Sequence, residues 1–125
     1  MSLSVDVFVV EAGGAIRVLD VPAGCSDLAG FEHWRTTVWG SDAVRSLGAR
    51  FLPVLADADL RVELDQVTAL LRECALLTDH LGHIAAATDP ARTAEEHRHQ
   101  IAARLATIED AARRAQAIGG GVLIW

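Results

Sequence analysis

The sequence predicts an α+β fold: a small, mostly antiparallel sheet, made of an N-terminal hairpin, a middle strand and a C-terminal strand, packed against two long helices. Three observations predict it. Two β-branched runs flank Gly13-Gly14, two long segments repeat apolar residues at helical spacing, and "VLIW" (122–125) follows a glycine run as a terminal strand. The 125 residues fit a single domain, 1–125, able to bury roughly two-thirds of its unfolded surface without metal or disulfide support.

The first element is the hairpin "VDVFVVEAGGAIRVLDVP" (5–22). Glycine supplies the positive φ of a primed turn, and a two-residue turn at Gly13-Gly14 sets Val9 opposite Val18 and Phe8 opposite Leu19. Both faces of this hairpin are then largely apolar. Such a hairpin belongs in a sheet covered on both sides, here by the segment 27–56 or by a partner.

Residues 27–39 read as helix or strand, and the pattern leaves that open. Ser41 can cap a short helix, "DAVRSL", that stops at Gly48, and "ARFLPVLADA" (49–58) is an apolar loop interrupted by Pro53. "DLRVEL" (59–64) alternates cleanly and reads as a half-buried strand. Asp65 then caps the first long helix, with Val67, Leu70, Leu71, Cys74, Leu77, Leu81 and Ile84 on its buried stripe. "TDPARTAEE" (88–96) is an exposed connection to the second. Thr93 and Glu96 form a capping-box pattern, Ile101, Leu105, Ile108, Ala112 and Ala115 form the stripe, and Gly119 to Gly121 end the helix.

Composition narrows function by exclusion. Eleven arginines and no lysine face seventeen carboxylates, for a net charge of −6, so nucleic acid is not an expected partner. Asp6 and Glu11 interrupt the first apolar stretch and no basic region precedes it, so it does not read as a signal peptide. No uncharged run nears the roughly 18 residues of a membrane span. Cys25 and Cys74 lie far apart without a metal or redox spacing, which suits two free thiols in the cytoplasm. A mean hydropathy of +0.27 is high enough to suggest that apolar surface is covered by another chain.

Chemistry-bearing patterns are few. Among His33, His80, His83, His97 and His99, only His80 and His83 share a helix face, and the third position of such a site is Leu76; no metal is expected. The stretch from Asp57 cannot be a calcium loop, because Arg61, Val62 and Thr68 stand where an oxygen ligand, glycine and glutamate are required. Neither glycine cluster runs from a strand into a helix, as a phosphate cradle must. No nucleophile motif occurs, and without lysine or tyrosine the general acids and bases are limited to His, Asp, Glu and Cys. No cofactor is expected.

Two candidate surfaces remain. Asp57, Asp59, Glu63 and Asp65 surround one strand and could dock a basic partner. In "HWRTTVWGSD" (33–42), Trp34 and Trp39 lie five apart, on opposite faces of a strand and about 140° apart on an α-helix. A strand would align His33, Arg35 and Trp39 on one face, with Arg50 available from beyond the short helix. A helix would instead gather Phe31, Trp34 and Val38 in the core. The expected function is a cytosolic, non-catalytic protein-interaction module of the inhibitor or immunity type, able to form a homodimer. The alternative is a small-ligand-binding protein or enzyme using His33, Arg35, Trp39 and Arg50.

Overall fold

The first apolar run forms β1 (Ser2–Val10), the strand on which the sheet assembles in a computed structural model describing residues 1–88 and 93–125. β2 (Ile16–Val18), β3 (Leu28–Phe31), β4 (Leu60–Val62) and β5 (Gly121–Ile124) complete an antiparallel sheet of order β2-β1-β5-β4, with β3 paired to the start of β1. β3 and β2 lie along the same side of β1, since Val5 donates to the Asp27 carbonyl and Val7 accepts from the Leu19 amide. The helices are α1 (Asp42–Ser46), α2 (Val67–Thr78), α3 (Leu81–Thr88) and α4 (Ala94–Ile118). The α+β class and the antiparallel sheet therefore stand as the sequence predicts. Residues 89–92 of the 88–96 connection lie outside the described residues.

The hairpin register differs by one residue. Phe8 faces Val18, Val9 faces Arg17 and Val10 faces Ile16. The cause is loop length: Glu11 donates to the Ala15 carbonyl, leaving a three-residue loop in which Gly14, at φ 86°, takes the left-handed position. A slip of one residue reverses the faces of a strand. Ile16 and Val18 thereby leave the face of Val7 and join that of Phe8.

The first long helix is also divided. The Thr78 hydroxyl donates to the Cys74 carbonyl, the His80 amide turns to the Leu77 carbonyl, and the His80 ring takes up the Leu76 carbonyl. α2 ends there and α3 restarts at Leu81, with Leu81 and Ile84 still buried. Glu63, rather than Asp65, begins this region: it forms a capping box with Gln66 over the 3-10 turn Leu64–Gln66, and α2 follows directly. The stretch around Pro53 is a 3-10 helix, Leu52–Ala56, where a loop was expected.

Ser41 and Thr93 cap α1 and α4, each accepting the amide three residues on. α4 lays His97, Ile101, Leu105, Ile108, Ala111, Ala112 and Ala115 into the core and packs on β1, β3, β5, α2 and α3. Its left-handed cap at Gly119 turns the chain into β5. There, a Cβ on Gly121 would collide with the Phe8 ring and the Val62 carbonyl. Gly121→Ala is expected to cost about 1–3 kcal/mol by urea denaturation. Gly82→Ala, with open space around it, leaves stability unchanged or raises it by at most about 1 kcal/mol.

Candidate functional site

The segment 28–39 folds into neither of the two simple alternatives. β3 is interrupted by a bulge opposite Leu3 and Ser4, which turns both Ala29 and Gly30 into the core and leaves Leu28 and Phe31 outside. Gly30 sits at φ 126° beneath the Trp34 ring, where a Cβ would lie 2.6 Å from its edge. The chain then winds into one π-helical turn, Arg35–Trp39, closed by the Gly40 amide on the Arg35 carbonyl at 2.9 Å. A turn that closes over five residues stacks positions five apart. Trp34 and Trp39 consequently meet edge to face at 5.5 Å, a contact that the α and strand spacings exclude.

These rings are core. Trp39 has no exposed surface and donates its indole N–H to the Ala29 carbonyl at 3.0 Å. Trp34 also meets Phe31 and His97 edge to face, and the His97 ring lies 2.7 Å from the Thr88 hydroxyl. His33 stacks on Phe31 at the surface. Arg35 binds Glu32 and Asp59, each at 2.6 Å, and donates to the carbonyls of Leu55 and Ala58. The Asp59 hydrogen bond, helped by Glu32 and opposed by burial, holds its pKa above the usual arginine value. Of the four residues His33, Arg35, Trp39 and Arg50, the first three are thus separated by the turn into surface, ion-pair and core positions.

Arg50 lies beside a different feature. The buried Glu73 carboxylate on α2 accepts the amides of Arg50, Phe51 and Leu52, clamping the start of the 3-10 helix. A shallow cleft of about 220 Å³ opens there, lined by Gly48, Arg50, Phe51, Ala69, Arg72, Glu73 and Leu76. Its neighbour Cys74 is a buried free thiol, which burial, reinforced by Glu73 and Glu109, pushes up to about 12. Of the acidic group, Asp59 is engaged by Arg35 and Glu63 by Arg61 at 2.6 Å, whereas Asp57 and Asp65 are exposed. Among the described residues no cluster of three or more His, Cys, Asp or Glu could hold a metal.

An apolar outer face of the sheet was not assembled from the sequence. Cross-strand partners share a sheet face, so Phe31 lies beside Ser2, Leu28 beside Ser4, and Val18 beside Phe8. Ser4 and Trp125 exchange backbone hydrogen bonds. Leu28, Phe31, Trp125, Val10 and Val18 therefore project from the outer face, and they are five of the nine large apolar side chains exposed among the described residues. None belongs to the buried core that the helices share with the inner face, although the Phe31 ring touches its edge at Trp34. The signal in the sequence was the two-sided apolar hairpin; the bulge and the register slip that complete the patch were invisible to it.

Comparison with protein-family models, with curated proteins and with solved structures finds no match. The site's geometry makes two expectations. Glu73→Ala, which removes the acceptor for three amides, should cost roughly 2–4 kcal/mol in urea unfolding, and Glu73→Gln should recover part of it. A thiol-labelling reagent should modify the exposed Cys25 quickly in the native protein, and Cys74 only at the rate of unfolding.

Proposed function

We propose that this chain is a non-catalytic protein-interaction module of the cytoplasm that docks through the outer face of its sheet. The observation that carries the reading is that exposed Leu28, Phe31, Trp125, Val10 and Val18 all lie on the outer face of the sheet, in two groups on either side of Asp6. Large apolar side chains exposed together on one face mark an interaction surface, and they cost solubility when left bare. The segment 27–56 does not cover it: β3 extends the sheet, and the 3-10 helix Leu52–Ala56 packs on the π turn. Exposed Asp57 and Asp65 flank β4 at the margin of this face and would steer a basic partner, the arrangement of an inhibitor or immunity-type protein. Free Cys25 and Cys74 suit a reducing compartment, and no helix among the described residues is long and apolar enough to cross a membrane.

The small-ligand reading is favoured by one observation only. Arg50 and Arg72 reach the cleft beside Phe51 without a side-chain ion pair or hydrogen bond among the described residues, so a carboxylate or phosphate with an apolar body would fit. Phenyl phosphate raising the melting temperature of the native protein, but not of Arg50→Ala/Arg72→Ala, would favour it.

The interaction reading is tested by Val18→Glu and Phe31→Glu. Both sites are 37% exposed, and Phe31 also touches Trp34, so both variants should keep the circular dichroism spectrum while Phe31→Glu lowers the melting temperature more than Val18→Glu. Co-purification of binding partners from the native host should fall by about tenfold or more. Association unaltered by both substitutions would overturn the reading.

A further inference from the structure

We infer that the outer face pairs with the same face of a second copy of this chain, about a two-fold axis running parallel to β5 at Leu123. The inference rests on the reading of that face as an interaction surface. Its basis is a charged row across the sheet. Asp6 on β1 faces Leu123 on β5, which faces Arg61 on β4. The three point outward, because their neighbours Val5, Val7, Val122, Ile124, Leu60 and Val62 belong to the inner core. With strands about 4.8 Å apart, Asp6 and Arg61 stand about 10 Å apart with an apolar residue between them.

Within the chain the two charges do not pair. The Asp6 carboxylate accepts the Trp125 indole N–H at 2.9 Å. Arg61 pairs with Glu63 at 2.6 Å and lies over the Phe8 ring at 5.1 Å. An axis parallel to the strands exchanges left and right across the sheet and preserves position along it. Leu123, which is 7% exposed and brings little surface of its own, then lies on the axis, Asp6 falls opposite Arg61 of the other copy, and Arg61 opposite its Asp6. Trp125, two residues further along β5, meets the other Trp125, and Glu63 falls opposite Phe8, whereas Val18, Leu28 and Phe31, one strand beyond β1, lie past the edge strand β4 of the other copy and outside this overlap.

An axis perpendicular to the strands would set Asp6 on Asp6 and Arg61 on Arg61, so charge selects the first arrangement. Packed sheets are about 10 Å apart, a gap that an extended arginine and an aspartate can close together. The usual crossing of about 30° displaces the pairs by only about 2.5 Å. The interface is isologous, so each charge pair occurs twice.

Sedimentation of the full chain and four preparations tests this. The wild-type protein should be a dimer. Asp6→Arg alone and Arg61→Asp alone each set like charges opposite and should weaken dimerisation by about a hundredfold or more. Mixing the two single variants in equal amounts should restore a dimer, because each supplies the charge that the other repels in itself. The double variant D6R/R61D should also dimerise, which guards against a single variant that merely fails to fold. A monomeric wild-type chain, single variants that still dimerise, or a mixture that stays monomeric would each overturn the pairing. The broader reading fails separately, if Val18→Glu and Phe31→Glu leave all partner binding intact.

Discussion

The packing of α4 across one face of the sheet is the constraint on which the rest of the structure depends. Ala111, Ala112 and Ala115 are all fully buried, and side chains this small let the helix axis approach the strands closely. Val5, Val7, Val122 and Ile124 are buried beneath it, and α2 and α3 then pack on α4 in preference to the sheet. A sheet has two faces, and this arrangement spends every long helix on one of them. The outer face is left to its own side chains, with Arg61 lying over Phe8 and the Phe8 ring covering Gly121.

Two buried anchors keep the intervening segment from covering that face. The π turn drives Trp34 and Trp39 into the core together, against His97 of α4. Glu73 clamps the amides of residues 50 to 52 onto α2. Arg35 ties the two parts together through Glu32, Leu55, Ala58 and Asp59. Each anchor places a buried polar group with its partners satisfied, as interior polar groups require. Arg35 and Trp39, which looked like part of a binding site in sequence, are residues that fasten the segment.

Much of the fold was legible because long periodic elements declare themselves. The stripe from Val67 to Ile84, apart from the half-buried Leu71, and the stripe of α4 are buried as the spacing predicts, and Ser41 and Thr93 cap as their positions suggest. What could not be read depends on single hydrogen bonds. One bond from Glu11 to Ala15 lengthens the hairpin loop and moves Val18 to the other face. A turn of the His80 amide toward Leu77 divides one helix into two. A π closure brings Trp34 onto Trp39, which no rule for α-helix or strand anticipates. Glu73, four residues before Leu77 on a helix surface pattern, gives no sign in sequence that it will accept three distant amides. The two-sided apolar pattern of β1 and β2 did carry the essential signal, since it required cover on both faces and the fold supplies one.

The most direct measurement is the backbone amide spectrum of an isotope-labelled chain followed through progressive dilution. Signals that shift should map to outward residues of the sheet, Asp6, Phe8, Arg61, Leu123 and Trp125 among them, while those of α2 and α4 stay fixed. A spectrum unchanged by dilution, or shifts concentrated on the helices, would contradict self-pairing through the open face of the sheet.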